Sequence, residues 1–267
     1  MSETHDTKST NETRSIIIEH EIDVIPEVVW QTLTDPEELS RWFPLEAKVD
    51  PTVDGRIWLS WGPGCEGEAP IHICEPPHRF GWTENYGTDE AGKPIEVAVD
   101  FHVEAGAGTT VVRLVQSGFS ASSDWDEMYD ALVDGWTFFM FNLVFYLTKH
   151  PGKPRGLVWR RVATSLDRGA AWERLFGGSL VTAASGFAPG TPFELHLDAT
   201  HEGKTVSARP GHHFAGTLPH MDNSLLFVEL EGAHVGFWLS TYGARDEDVA
   251  QLQRELDAKL EEVGLEV

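Results

Sequence analysis

Val28–Phe43 reads VVWQTLTDPEELSRWF. Val28, Val29, Trp30 and Leu33 place apolar side chains at helical spacing, and Pro26 just ahead of them suits the first turn of a helix. Asp35-Pro36 ends that helix and opens a second, short one over Glu37 to Trp42, with Asp35 as its cap and Pro44 as its stop. Upstream, Ser15 to Asp23 (SIIIEHEID) reads as a strand. Downstream come alternating runs at Gly55 to Trp61, Ala69 to Cys74, Arg79 to Asn85, Ile95 to Glu104 and Thr109 to Gln116. Consecutive short strands joined by turns imply a curved antiparallel sheet. Trp125 to Thr148 then changes period to that of one long helix. Its apolar stripe is Met128, Leu132, Trp136, Phe139, Met140, Leu143 and Leu147. The sequence His150-Pro151-Gly152-Lys153-Pro154 terminates it and serves as a linker.

The second half repeats this layout faintly. Ala170-Ala171-Trp172-Glu173-Arg174-Leu175 resembles Val28-Val29-Trp30-Gln31-Thr32-Leu33 at an offset of 142, and a strand-like run at Leu157 to Ala163 precedes it. Strands are expected at Phe193 to Asp198, Thr205 to Arg209, His212 to Leu218, Leu225 to Glu231 and His234 to Thr241. A final helix over Asp246 to Val263 carries the stripe Val249, Leu252, Leu256, Leu260 and Val263. The order strand, helix, strands, long helix is thus used twice. The expected division is a tail at 1–14, a first domain at 15–150 and a second, trimmed domain at 151–267.

A chain of 267 residues allows one large or two modest domains. Its 41% hydrophobic residues can form a real core. The net charge of -23 repels phosphate backbones and anionic headgroups, so nucleic acid is excluded as a general partner. That charge is uneven: residues 1–150 hold -18 and residues 151–267 hold -5. The basic residues of Lys149 to Arg174, among them Arg155, Arg160 and Arg161, are expected to pair with the acidic half. The longest apolar stretch, Trp136 to Leu147, is shorter than the roughly 20 residues a bilayer span needs, so no membrane insertion is expected. Two cysteines, Cys65 and Cys74, and a polar N-terminus without an apolar core point to reduced thiols and a cytoplasmic protein.

The first half resembles the START-like (SRPBCC) superfamily, and within it the AHSA1-like branch related to the C-terminal domain of the Hsp90 ATPase activator. The residues that carry this are Val28 to Pro36, Leu39-Ser40-Arg41-Trp42-Phe43, Gly55 to Trp61, the hairpin ending Ser117-Gly118-Phe119, and the long helix entered through Trp125 and containing Gly135-Trp136. The resemblance implies an α+β helix-grip fold, in which a curved antiparallel sheet wraps a long C-terminal helix and often encloses a cavity, here in tandem. Members bind lipids, hormones or other small apolar compounds, some are cyclases or related enzymes, and others serve chaperones. A small apolar ligand or a protein partner is therefore implied, with no cofactor. The sequence sets no oligomeric state.

Ligand pockets are mostly apolar, with a few convergent polar groups. Along Ile95 to Glu104, Val97, Val99, Phe101 and Val103 should face inward and Asp100 and His102 outward. Phe80 and Trp82 share one face of their strand. The candidate ligand-binding residues are Trp61, Phe80, Trp82, Val99, Phe101, Trp136, Met140 and Leu143, which line a pocket or fill it. Acid/base candidates are His72, His102, Glu84, Arg113 and Asp100; Asp100 and His102 point away from the inner face, His72 and Glu84 take no assigned face, and no catalytic residue is assigned, since a general acid needs a shifted pKa and a substrate within hydrogen-bond reach. His196, His201, His212, His213, His220 and His234 crowd one region without a ligand spacing, and no metal site is assigned. No nucleophile elbow or phosphate loop occurs, and Cys65 in its Gly/Pro-rich loop reads as an incidental thiol. The leading reading is a non-enzymatic binding or interaction module. A cofactor-free cyclase or lyase and a chaperone-associated stress factor are the alternatives.

Overall fold

The computed structural model describes residues 13–88, 92, 94–120 and 125–265. The chain divides into two compact units between Met140 and Phe141. In the first unit β1 (Thr13–Ile22) leads into α1 (Pro26–Thr34) and α2 (Pro36–Ser40). Six strands follow: β2 (Glu46–Val49), β3 (Arg56–Ser60), β4 (Glu66–Glu75), β5 (Arg79–Thr88), β6 (Pro94–Ala105) and β7 (Thr110–Ser120). The long helix α3 (Asp126–Lys149) runs across the division. In the second unit β8 (Arg155–Ala163) leads into α4 (Arg168–Phe176) and a further six strands. These are β9 (Val181–Thr182), β10 (Pro192–His196), β11 (Thr200–Arg209), β12 (His213–Leu218), β13 (Ser224–Glu231) and β14 (His234–Tyr242), closed by α5 (Asp246–Glu262).

Each unit holds one seven-stranded antiparallel sheet. The orders are β1-β7-β6-β5-β4-β3-β2 and β8-β14-β13-β12-β11-β10-β9. In both, the first strand of the unit lies beside its last and the rest descend in sequence. The tandem helix-grip, α+β reading therefore holds, and the second copy lacks only a counterpart of α2. After α4 the chain passes through Gly177-Gly178 directly toward β9.

Local chemistry explains the ends of these elements. Pro26 opens α1, and Asp35 caps α2 by accepting from the amides of Glu37 and Glu38 at 2.9 and 3.0 Å. Asp167 caps α4 through the Ala170 amide at 2.8 Å. In β6, Val97, Val99, Phe101 and Val103 are buried, while Asp100 and His102 are only half-buried on the other face. This is the alternation expected of a sheet with one face on a core. The first core is aromatic: Trp42 stacks on Phe43 at 5.2 Å, and Phe43 stacks on Trp136 of α3 at 5.0 Å. In the second unit Leu256 and Leu260 of α5, with Val263 just after it, join Val158, Phe193, Phe214 and Phe237 in one cluster.

Five expectations change. The tail assigned to 1–14 lies largely outside the described residues, but Thr13 and Arg14 belong to β1, where Arg14 bonds Asp126 at 2.6 Å. β2 and β9 were not expected; both are short, EAKV alternating over only four residues and VT holding two. α3 buries more than one stripe: Phe138, Asn142, Phe145 and Tyr146 are buried too. Within the second unit Asn142 accepts from the Tyr242 hydroxyl at 3.2 Å, and Tyr146 and His150 stack on the Tyr242 ring. Several basic residues of Lys149 to Arg174 are used inside their own unit. Arg160 pairs with Asp257 at 2.6 Å, Arg161 with Glu231 at 3.4 Å, and Arg174 donates to the Val263 carbonyl. Finally, α3 has 24 residues and is long and apolar enough to cross a membrane by length and composition, more than the short run Trp136 to Leu147 implied. Its Trp136 and Met140 are buried in protein, which is the position of a core helix.

Candidate functional site

The inner face of the first sheet is set by alternation. Ile57 and Leu59 of β3 point inward, followed by Trp61, and so do Gly67 and Ala69 of β4 and Phe80, Trp82, Glu84 and Tyr86 of β5. β4 thus contributes two small residues between neighbours with large ones. A Cβ built on Gly67 meets nothing within 4 Å. The result is a cleft of about 380 Å³ over β4, walled by Leu59 and Trp61 on one side and Trp82, Glu84 and Tyr86 on the other.

Its polar groups are held in place. The Glu84 carboxylate accepts the Trp82 indole N–H at 2.9 Å on one oxygen and the Tyr86 hydroxyl at 2.9 Å on the other. The Gln116 side chain bonds Tyr86 in turn, and its Oε1 accepts the Trp136 indole N–H at 2.8 Å. Burial, and then the Glu84 charge, hold the Tyr86 hydroxyl far above its ordinary pKa, so it stays a donor. Such a fixed network presents preorganised acceptors to whatever enters the cleft.

Among the candidate residues, Trp61 and Trp82 line this cleft. Phe80, Val99, Phe101, Trp136 and Met140 are buried in the packed interior, and Leu143 falls past the division, in the second unit. The rings there form a continuous contact chain: Phe80–Trp82, Trp82–Phe101 and Phe101–Trp136 each lie at 6.0 Å. Glu84 turns into the cleft, whereas His72 and Asp100 occupy the outward face. There His72 Nε2 bonds Asp100 at 2.9 Å and its Nδ1 meets Thr83 Oγ1 at 3.0 Å, away from the cleft. His102 shares that outward face, and Arg113 pairs there with Glu19 at 2.7 Å. Both cysteines are free thiols. Cys65 lines the cleft rim, and the Cys74 thiol, pushed up by burial and Asp50, donates to the Pro51 carbonyl. Among the described residues no three His, Cys, Asp or Glu side chains could hold a metal ion. His196 bonds Thr182 and Thr200, and His213 meets Ser207.

The second unit holds a larger, open cleft of about 920 Å³ beside the end of α4. It is lined by Phe176, Thr182, Phe193, Glu202, Lys204 and His220 among others, and by no residue of α5. This cleft includes the position that corresponds to the first one, since Phe193 and Gly203 both line it. Gly203 of β11 pairs with Phe193 as Gly67 of β4 pairs with Leu59. A Cβ on Gly203 or Gly216 would strike the Phe193 ring. A phenyl ring thus lies against Gly203, whereas nothing lies against Gly67.

Residues 23–148 match the family model described as activator of Hsp90 ATPase homolog 1-like protein. Most of the first unit is thus similar to the AHSA1-like family. No curated protein matches the chain. Solved structures with similar folds include a Mesorhizobium loti protein, 26% identical at TM-score 0.46 over 51% of this chain and 98% of that one. The Aha1 dimer of Colwellia psychrerythraea is 19% identical at TM-score 0.45 over 52% and 99%. DynU16, a protein of the dynemicin biosynthetic locus, is 16% identical at TM-score 0.44 and covers 93% of this chain and 96% of its own. The AHSA1-like match thus spans β2 to β7, the strands that carry the smaller cleft among them, and most of α3.

Proposed function

We propose that this protein is a cytoplasmic binding module of two START-like domains, at 15–150 and 151–267, whose AHSA1-like domain takes up a small apolar molecule over Gly67 and Ala69. The observation that carries the reading is the gap left by these two small residues between Trp61 and Trp82. A volume of about 380 Å³ suits a compact ligand at the lower end of known pockets. The cleft in the second unit is larger, and the polar side chain held there by a hydrogen bond is the neutral Thr182, bonded to His196 at 2.8 Å, rather than a carboxylate such as Glu84. No catalytic role is assigned to any residue.

Gly67→Leu tests the reading directly. Its Cβ meets no neighbour, and its φ lies outside the left-handed region, so the side chain fills the cleft without straining the sheet. A neutral apolar dye such as Nile red is expected to bind the full chain and to lose about tenfold or more in affinity to the variant, whose thermal midpoint stays within a few degrees of the parent. Equal dye affinity in the two proteins would remove the cleft from consideration. Native mass spectrometry of the freshly purified chain then names any retained molecule.

The family match alone favours a second reading, chaperone association. Under it, adding the chain to an Hsp90-type ATPase raises turnover severalfold. Unchanged turnover at saturating chain eliminates that reading and leaves the binding module intact.

A further inference from the structure

We infer that the ligand of the first-unit cleft is a cation: an aromatic or apolar molecule carrying an amine. This rests on the cleft reading above and adds its chemical class. An ionised carboxylate offers about four acceptor positions and no donor. Glu84 uses one on each oxygen, for Trp82 and for Tyr86, which leaves acceptor capacity on both. Glu84 has no ion-pair partner among the described residues, and no Lys, Arg or His lines the cleft. The other charged residues of the lining are Glu66 and Glu68, and Glu68 is matched outside it by Arg56 at 2.6 Å.

The walls agree with the charge. Trp61, Trp82 and Tyr86 surround the carboxylate, and aromatic faces attract ammonium groups. Asn85, the Cys65 thiol and the glycine backbone also line the cleft, and none supplies a positive charge. A carboxylate or phosphate ligand would meet acceptors and repulsion, whereas an ammonium would complete the coordination of Glu84. The surrounding field acts in the same direction. Residues 1–150 carry a net charge of -18, which concentrates cations near the surface at low ionic strength.

Three probes of one shape separate the charge from the shape: 2-naphthylmethylamine, 2-naphthylmethanol and 2-naphthoate, titrated into the full chain by calorimetry. The amine is expected to bind about tenfold tighter than the alcohol, since charge-assisted hydrogen bonds are about twice as strong as neutral ones, and the carboxylate weakest. Added salt should weaken the amine alone. Glu84→Gln keeps an acceptor for Trp82 and should bring the amine down to the alcohol. Glu84→Asp, which retains the charge, should keep the preference for the amine and covers the case in which the Gln variant folds poorly. An alcohol that binds as well as the amine, or a preference that survives Glu84→Gln, overturns the cationic class. If in that case Gly67→Leu still abolishes alcohol binding, the cleft reading stands without it. If Gly67→Leu changes the binding of none of the probes, both fall.

Discussion

Trp42→Ala is expected to cost the first unit about 3–5 kcal/mol of stability, the range for removing a buried indole. Trp42 is 0% exposed. It stacks on Phe43 and meets Phe101 edge-on at 6.4 Å, so its loss opens a void where α2 meets the sheet. The indole N–H has a separate role. Thr32 lies near the end of α1, and its carbonyl would normally accept from the amide four residues on. That residue is Pro36, which has no N–H. Trp42 Nε1 donates to the Thr32 carbonyl instead, at 3.1 Å, in a buried position. Trp42→Phe should therefore keep most of the packing but orphan this carbonyl, at a cost of about 1–3 kcal/mol. Urea unfolding of the full chain, followed through the transition of the first unit, distinguishes the two contributions. A loss below about 1 kcal/mol for Trp42→Ala, or equal losses for Ala and Phe, would contradict the assignment.

Much of this arrangement is legible in the residues themselves. A strand buried on one face writes its environment into every second residue, which is why Val97, Val99, Phe101 and Val103 could be placed before the sheet was seen. The doubled layout was visible through the helix motif at Val28 and Ala170 because both helices bury the same apolar face against a sheet. What local pattern does not carry is pairing at a distance. Asn142 breaks the apolar run of α3, and it is buried where it accepts from Tyr242, which lies far along the chain. β2 and β9 owe their existence to neighbours rather than to their own composition.

The cleft falls between these cases. It arises over Gly67 and Ala69, which pair with Leu59 and Ile57 of β3 but lie beyond the β4–β5 register, which ends at Ile71 and Trp82. Glu84, however, was within reach. Once Phe80 and Trp82 were given one face, period-two alternation placed Glu84 and Tyr86 on that same face. Taken with Trp61, that would have assembled most of the wall without a structure. The aromatic candidates Phe80, Phe101 and Trp136 are the kind of residue that either lines a cavity or fills it, and composition cannot separate the two. Their mutual contacts near 6 Å place them in the packed interior.

Raising the pH from about 4.5 to above 7 is expected to remove up to about 3 kcal/mol of stability from the second unit through one residue, Glu229 of β13. Its residue surface is not fully covered, but its carboxyl group is enclosed, and burial is the main reason its pKa rises to about 7. The charge of Glu231 adds to this. The Trp238 indole N–H, 3.1 Å away, and Arg161 favour the ionised form but do not offset the burial. Between the ordinary carboxylate range and about 7 the folded chain holds a proton that the unfolded chain has released. The contribution is therefore complete below the unfolded pKa and is lost as pH rises through the folded one. His150 and His201, whose pKa values are lowered by burial, act with the opposite sign, since acid must protonate them against that burial. Comparing the parent with Glu229→Gln cancels their contribution. The variant keeps an acceptor for Trp238 but has nothing to ionise. Its urea midpoint should match the parent near pH 4 and exceed it at pH 8 by the equivalent of about 2–3 kcal/mol. Midpoints that stay parallel from pH 4 to 8 would show that Glu229 titrates in the folded chain as it does in the unfolded one, and would overturn the raised value.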